Sequence, residues 1–307
     1  LKLIKDKKVN KNRVILSIPE NVFSYYADKI NFNVEYDIIY KNLKSNNTKN
    51  KILINLLPSV KLEIGKPTKH SGQASIDSLN QSLDIIDMGL ASGILTAPIS
   101  KYAIKKAGVD FPGHTEIISN RYKISSPVMT FFSNKLMVAL VTIHEPIKNV
   151  PSLITKEKLS SVIKTLKNSL KIDFGKTNLK IAILGLNPHA GENGKIGDEE
   201  VNIITRIIKK DRELFGPFVP DAYFGDKKFY DYDITLGMYH DQVLIPFKYI
   251  AFDKGVNYTA GLPIIRTSPD HGTAYDIAGS LTANYNSMLY AFNLLLKIIK
   301  NRKNVSK

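Results

Sequence analysis

The sequence contains no cysteine, which excludes disulfide bonds, thiolate metal ligands and a catalytic thiol. Any transition-metal site must therefore be built from histidine and carboxylate side chains. No apolar run approaches the roughly 18 residues that a bilayer-spanning helix needs, and the charged segment 1–8 has no apolar stretch of the signal-peptide kind. We therefore expect no membrane partner. Cysteine usage leaves the compartment open, and the cytoplasm is the default expectation.

The sequence also lacks the two familiar glycine-rich phosphate loops. No G-x-G-x-x-G segment follows a predicted strand, and no G-x-x-x-x-G-K-[ST] segment occurs. A Rossmann-type dinucleotide site and a P-loop are therefore not predicted.

Basic residues outnumber acidic residues by 43 to 28, which gives a formal net charge of +15. Such an excess raises nucleic acid or an anionic membrane as a partner. Only six of the basic residues are arginine, however, and the lysines lie singly or in short pairs. We expect no nucleic-acid partner, since a small anionic substrate fits the same charge. The alternative from another class is a noncatalytic nucleic-acid-binding protein, which predicts strongly salt-dependent affinity and no bound metal.

A chain of 307 residues, 43% of them hydrophobic, is long enough for one large α/β unit or for two domains. Short apolar runs alternate with segments of helical period, as in α/β proteins with a largely parallel sheet. Amphipathic helices are predicted over 159–170, behind a Thr155 cap, and after Asn284 or Asn286. Strands are predicted at 13–17, 52–56, 92–97, 137–143, 180–186, 234–239 and 262–266.

Three histidines, His144, His189 and His240, lie just beyond the carboxyl ends of predicted strands. Because the carboxyl ends of parallel strands share one edge of a sheet, the three imidazoles can converge in one crevice. Three neutral imidazoles with an open position are typical of catalytic zinc and also suit other divalent metals. The alternative is that each histidine is a hydrogen-bonded structural residue of its loop.

A second group of residues suits an anion. His114 and Thr115 follow a Pro-Gly turn at the start of a predicted helix, where unpaired amides favour an anion, although an ordinary helix cap has the same pattern. Arg266 follows an apolar run, where an unpaired guanidinium is costly to bury. With Lys248 and Asn257 upstream, it can bind phosphate or carboxylate. The alternatives are a structural ion pair for Arg266 and a solvated surface position for Lys248.

The segment 270–279 (DHGTAYDIAG) is predicted to be a glycine-containing turn that leads into a helix. A compact loop with exposed amides before a helix can hold a nucleotide, although such turns are common and a plain helix start fits equally well.

Five motifs are distinctive when taken together: TAPISK at 96–101, PGHTE at 112–116, LNPHAGENG at 186–194, MYHDQ at 238–242 and GLPIIRTSPDHGTAYDIAG at 261–279. In order and spacing they resemble the 4-hydroxythreonine-4-phosphate dehydrogenase family of pyridoxal phosphate biosynthesis. The similarity runs from about residue 65 to the C-terminus. The last motif also looks like the corresponding loop of isocitrate and isopropylmalate dehydrogenases.

The resemblance implies an α/β fold of the isocitrate/isopropylmalate dehydrogenase-like group, with two α/β/α domains, a mixed, mostly parallel sheet and an active site in the interdomain cleft. The first domain is expected to comprise 1–100 with 250–307, and the second 101–249, which would carry the metal ligands and dimer contacts. Members of the family usually begin with a strand and a turn of the type GDPxGIGPE. No segment here matches it, which predicts either a fragment without its N-terminal strand or divergence there.

The resemblance also implies the site residues. The three histidines named above match the metal ligands, with His240 shared across a homodimer interface, and zinc, magnesium and cobalt are the usable metals. The matches to the substrate-binding positions are His114, Thr115, Lys248, Asn257 and Arg266. The loop 270–279 would belong to the NAD or NADP site, with contacts expected from His271, Gly272, Thr273, Ala274 and Asp276.

The reaction implied is the metal- and NAD-dependent oxidation of 4-phosphooxy-L-threonine to a β-keto acid, which decarboxylates to 3-amino-2-oxopropyl phosphate. Asp241 and Lys101 are the candidates for proton transfer, although either could instead orient a neighbour or lie at the surface. The alternative within the family is a paralogous dehydrogenase of a four-carbon sugar-acid phosphate, such as threonate or erythronate 4-phosphate.

Overall fold

A computed structural model describes residues 1–39, 49–252 and 254–305. The chain divides into two compact units. Unit 1 comprises Leu1–Tyr122 and Ile264–Leu295, and unit 2 comprises Lys123–Pro263 and Leu296–Lys307. The domain boundaries expected from the sequence, after 100 and after 249, fall inside unit 1 and unit 2 respectively, and they stay a prediction.

Six of the seven predicted strands coincide with strands of the structure, and the seventh, 262–266, is wrong. Leu262 and Ile265 are buried there, but the last strand begins only at Arg266, and the Ile265 carbonyl just before it accepts a hydrogen bond from the Ile94 amide at 2.8 Å. Within the described ranges the strands are β1 Val14–Pro19, β2 Tyr36–Ile39, β3 Ile52–Leu57, β4 Ile94–Leu95, β5 Val128–Phe132, β6 Met137–Leu140, β7 Ile181–Leu184, β8 Leu214–Phe218, β9 Ile234–Gly237, β10 Val256–Ala260 and β11 Arg266–Pro269.

Both predicted amphipathic helices are confirmed. The first begins behind Thr155, whose side chain accepts a hydrogen bond from the Lys158 amide at 3.2 Å, and the last begins at Asn286. In the part of the chain that the structure describes, no helix is both long enough and apolar enough to cross a bilayer. The helices are α1 Glu20–Lys29, α2 Lys69–Asp87, α3 Lys101–Lys106, α4 His114–Arg121, α5 Val150–Leu153, α6 Lys156–Ile172, α7 Thr205–Ile208, α8 Pro220–Gly225, α9 His240–Ala251 and α10 Asn286–Val305.

Unit 1 contains a three-stranded parallel sheet in the order β1-β3-β2. Its core is formed by Ile52 and Ile54 of β3 with Phe23 of α1, all at most 5% exposed. The unit also contains the parallel pair β4 and β11, in which Arg266 lies opposite Ile94. This pair places the buried arginine that the sequence singled out.

Unit 2 contains the strands β10-β5-β6-β9-β7-β8 in that order. β5 is antiparallel to both of its neighbours, and the pairs from β6 to β8 are parallel. Buried apolar side chains such as Val138, Leu184 and Phe247 pack between this sheet and α9. The predicted fold class, α/β with a mixed and mostly parallel sheet, is therefore confirmed.

Candidate functional site

Three adjacent parallel strands of unit 2, β6, β9 and β7, end at one edge of the sheet. The histidines predicted to follow these strands do follow them, as expected from the sequence. Beyond β6, the amides of Val141 and Thr142 donate to the carbonyls of Gly237 and Met238 at 2.9 and 3.1 Å. The segments that follow β6 and β9 therefore leave the sheet side by side. As a result, the imidazoles that follow β6 and β9, those of His144 and His240, lie close together.

The rings of His144 and His240 lie 5.8 Å apart between centroids. His240 is the first residue of α9, and its Nδ1 atom is 2.6 Å from Oδ1 of Asp241. In a neutral imidazole with this contact, Nδ1 carries the hydrogen and Nε2 keeps its lone pair, which is the form that a metal ligand requires. The contact favours an orienting role for Asp241 over the predicted proton transfer, and that prediction stays untested.

His189 lies on an exposed loop of 3₁₀ character, Pro188–Gly194. The residues from His189 to Asn193 all have positive φ, between 43° and 77°. Across 1–39, 49–252 and 254–305, no three histidine, aspartate or glutamate side chains come close enough to hold a metal ion. The structure thus brings together two of the three predicted ligands, and the three-histidine site stays a prediction. The donor chemistry, imidazole without thiolate, fits a divalent metal.

In unit 1, Arg266 is only 4% exposed. Its Nε and Nη2 atoms donate to the Thr96 hydroxyl at 3.2 and 3.1 Å, and Nη1 donates to the Thr115 hydroxyl at 3.4 Å. Burial lowers the pKa of Arg266 to about 10, against the opposing effect of Glu116, so the guanidinium stays charged at neutral pH. We call Arg266, Thr96, Thr115 and His114 the arginine cluster.

His114 and Thr115 begin α4, as predicted, so the first amides of this helix open beside the guanidinium. The pKa of His114 is lowered from 6.5 to about 3, first by burial and second by the charge of Arg266. His114 is therefore neutral at physiological pH and can donate one hydrogen bond and accept another. A buried cation with hydroxyls, an imidazole and a helix N-terminus around it can bind a phosphate group.

The other two predicted substrate residues, Lys248 and Asn257, belong to unit 2. Lys248 is half-buried on α9, and Asn257 lies in β10 opposite Phe131. The Oδ1 atom of Asn257 is buried and accepts no hydrogen bond from the residues that the structure describes. An unsatisfied buried amide oxygen is costly, and a donor from a ligand would relieve that cost.

The loop 270–279 is confirmed as a turn, but the helix expected directly after it is wrong. Ala274 has φ of 48°, and a short 3₁₀ helix of three residues, Tyr275–Ile277, follows. The next helix, α10, begins only at Asn286. The loop is anchored by the Asp270 amide, which donates to the Ser287 hydroxyl at 3.2 Å, and its exposed members include four expected nucleotide contacts, His271, Gly272, Ala274 and Asp276. The fifth, Thr273, is half-exposed.

Lys101, the other proton-transfer candidate, is the exposed first residue of α3 in unit 1. The Ser100 side chain caps this helix by accepting a hydrogen bond from the Ala103 amide at 3.2 Å. The structure thus places the backbone of Lys101 at the start of α3. The catalytic role of Lys101 stays a prediction.

Comparison with known proteins shows which family the chain belongs to. The family of pyridoxal phosphate biosynthetic protein PdxA matches residues 8–295, which is most of the chain. The chain belongs to the PdxA family. The resemblance stated from the sequence motifs is therefore confirmed.

Relatives within the PdxA family are similar over most of their length. A 4-hydroxythreonine-4-phosphate dehydrogenase of Sulfurihydrogenibium sp. (strain YO3AOP1) is 42% identical over 273 residues, which are 87% of this chain and 84% of the relative. One of Bacteroides thetaiotaomicron is 41% identical, over 80% of this chain and 68% of the relative. The crystal structure of the Klebsiella pneumoniae 4-hydroxythreonine-4-phosphate dehydrogenase matches with a TM-score of 0.84 and 29% identity, covering 97% of this chain and 92% of that one.

For this PdxA-family chain, sequence reasoning missed Thr96, Gln242 and Glu200. Gln242 accepts a hydrogen bond from the Met238 amide and donates one to the Gly185 carbonyl, both at 2.7 Å, and so joins the ends of β9 and β7. The signal for Thr96 and Gln242 was their place in the TAPISK and MYHDQ motifs. Glu200 lies outside every motif, and no sequence signal marked it.

Proposed function

We propose that this chain is an NAD-dependent dehydrogenase that oxidises 4-phosphooxy-L-threonine (4-hydroxythreonine 4-phosphate). The product is a β-keto acid, which loses CO2 to give 3-amino-2-oxopropyl phosphate. The observation that carries the proposal is the buried arginine cluster, an arrangement suited to a phosphate group, in a member of the PdxA family. The names of the relatives described above, all 4-hydroxythreonine-4-phosphate dehydrogenases, support the same substrate.

The phosphate of the substrate would bind to Arg266, Thr115 and the neutral imidazole of His114. A guanidinium donates along fixed directions, which suits the oxygens of a phosphate ester. Lys248 and Asn257 of unit 2 are proposed as further substrate contacts, and the orphaned Oδ1 of Asn257 is suited to the substrate's ammonium or hydroxyl group. These contacts would orient the hydroxyl that is oxidised.

The metal, zinc, magnesium or cobalt, would be held by His144, His240 and His189. When bound, such an ion polarises the substrate hydroxyl and the carbonyl formed from it. Through its contact with Nδ1, Asp241 would hold the tautomer of His240 that leaves Nε2 available. Lys101 is the proposed group for moving the hydroxyl proton, through its Nζ atom.

A homodimer is proposed because α9 presents an exposed apolar stripe. Ile245, Tyr249 and Phe252 are 67%, 92% and 76% exposed. Their spacing of four and three residues puts them on one side of the helix that begins at His240. Large exposed apolar patches mark interaction surfaces, and a second copy of this chain fits a stripe that starts from a predicted shared ligand. A second copy could also supply the imidazole that a single chain does not bring to the pair.

The loop 270–279 is proposed as part of the NAD or NADP site, because it exposes backbone amides around a left-handed residue, Ala274. The compartment proposed is the cytoplasm.

The deciding experiment follows NADH formation by absorbance with 4-phosphooxy-L-threonine, NAD and each divalent metal in turn. We expect turnover that chelation abolishes and that one of the metals restores. Threonate and erythronate 4-phosphates are assayed side by side, and a higher kcat/KM on either of them would replace the proposed substrate by the paralogous one. Absence of NADH with every substrate and metal would overturn the dehydrogenase proposal.

A further inference from the structure

A buried carboxylate lies against the loop that carries His189. Glu200 is 1% exposed and begins a short π-helical segment, Glu200–Ile204. Its Oε1 atom accepts hydrogen bonds from the amides of Leu186 and Asn187, both at 2.7 Å. Its Oε2 atom accepts one from Nδ2 of Asn187 at 2.9 Å. Three N–H groups of the segment just before His189 thus converge on one side chain.

Within the described part of the chain, the Glu200 carboxylate is held by neutral N–H donors and not by a cationic side chain. Among the residues that the structure describes, no lysine or arginine forms an ion pair with Glu200. A buried carboxylate is costly unless hydrogen bonds compensate it, and here every compensating donor comes from Leu186 and Asn187. The loop and the carboxylate therefore stabilise each other.

The loop itself needs such an anchor. Its five consecutive residues of positive φ, His189 to Asn193, include four that are not glycine, and each of these is in a disfavoured backbone conformation. Glu200 also fills the inside of the loop: a Cβ on Gly191 would lie 2.6 Å from Oε2 of Glu200. A Cβ on Gly185 would lie 2.9 Å from the Cα of Ala190. There is no room for the loop to relax inwards.

We propose that Glu200 is a positioning residue, which fixes the backbone at Asn187 so that His189, two residues later, presents its imidazole to the metal. This inference rests on the proposed metal-dependent function. Hydrogen-bonded groups behind a metal ligand typically change metal affinity 10- to 100-fold when they are removed. Glu200 acts through the backbone of the ligand's loop and touches neither substrate nor metal.

The test compares Glu200→Gln with Glu192→Gln in the full-length protein. The glutamine at 200 keeps the shape and one carbonyl oxygen but turns an N–H donor towards Nδ2 of Asn187. Glu192 is exposed in the same loop, so its substitution removes the same charge without removing a buried contact. Cobalt(II) is titrated into each metal-free protein, and its visible absorption spectrum reports both affinity and ligand geometry.

We expect Glu200→Gln to weaken Co²⁺ binding by about 10-fold or more, with an altered cobalt spectrum and unchanged far-UV circular dichroism. Saturating Co²⁺ should restore most of kcat, so the effect falls on the metal concentration required. Glu192→Gln should match the wild type in all three readouts. A folded Glu200→Gln protein that binds Co²⁺ with wild-type affinity and spectrum would overturn the positioning role.

Two further variants make the outcome decisive. If Glu200→Gln does not fold, Asn187→Ala decides, because it removes the Nδ2 donor to the Glu199 and Glu200 carboxylates and keeps both backbone amides on Oε1 of Glu200. Wild-type Co²⁺ affinity in that variant would overturn the role. His189→Ala separates this inference from the proposed function. Cobalt binding by His189→Ala at wild-type affinity would refute the metal site itself, and the positioning role with it.

Discussion

The arginine cluster of unit 1 and the histidine edge of unit 2 differ in how complete they are. Arg266 is 4% exposed and bonded to two threonine hydroxyls that its own unit supplies. His144 and His240 are paired at a sheet edge, exposed to solvent or nearly so, beside a helix with an uncovered apolar stripe. The chain alone thus preorganises the proposed anion site, whereas the proposed metal site requires a further ligand beside His144 and His240.

The largest effect is expected from His189→Ala in the histidine edge of unit 2. A residue that binds the metal directly should affect activity more than the hydrogen-bonded groups behind it. We expect metal-dependent NADH formation to fall by more than about 100-fold, the upper range for those groups. Inorganic phosphate should protect unit 1 against proteolysis to the same extent in this variant as in the wild type, because the arginine cluster is unchanged. Wild-type turnover at saturating substrate would contradict the assignment of His189.

Arg266→Lys tests the other side of the comparison. Lysine keeps the charge but loses the planar fork, and we expect kcat/KM to fall by about 10- to 100-fold, mainly through KM, for the loss of one charge-assisted hydrogen bond. Co²⁺ affinity in the absence of substrate should stay at the wild-type level. A loss of cobalt binding would mean that the two sites are not independent.

Tyr249→Asp sharpens the claim that the metal site is incomplete in one chain. A carboxylate in the centre of the apolar stripe should convert a dimer to a monomer in sedimentation experiments and lower Co²⁺ affinity by about 10-fold or more, as loss of a supporting shell does. Tyr230→Asp, which places the same charge at another exposed tyrosine of unit 2, is the control. Undiminished cobalt affinity in a monomeric Tyr249→Asp protein would contradict a shared site.

The smallest effect is a pH dependence from the arginine cluster. The pKa of His114 falls from 6.5 in the unfolded chain to about 3 in the folded one, so the unfolded state binds the extra proton and stability is lost as the pH falls below about 6.5. Between pH 7 and pH 5 the loss is at most about 2 kcal/mol, and less because the small exposed part of His114 is screened by solvent. Urea unfolding of His114→Gln should show a smaller loss over this interval. The exposed His70→Gln should behave as the wild type does.

Site residues could be predicted from the sequence where a polar residue directly follows a short apolar run. The strands before His144, His189 and His240 were recognisable because each is a short buried run, and their adjacency in the sheet agrees with the shared edge expected. β8 was missed because Gly216 and Pro217 within it are typical of a turn. The run before Arg266 was misassigned because buried residues that precede a strand leave the same apolar pattern as the strand itself.

Residues that act through tertiary contacts could not be found in this way. Glu200 lies 13 positions after Asn187, and nothing in the intervening sequence indicates that its carboxylate returns to that amide. Gln242 follows a histidine and an aspartate, but its bond to the carbonyl of Gly185 depends on the order of the strands. Such partners are set by the fold as a whole.

β11 connects two proposed sites through only four residues. Arg266 is its first residue, and Asp270, which opens the loop 270–279, directly follows its last. At about 3.3 Å per residue, the strand sets a spacing of roughly 13 Å between the Cα atoms of Arg266 and Asp270. Side chains alternate between the two faces of a strand, so inserting or deleting one residue within β11 would reverse the face of Arg266 relative to the residues that lead into the loop. The length of this segment is therefore less tolerant of change than its composition.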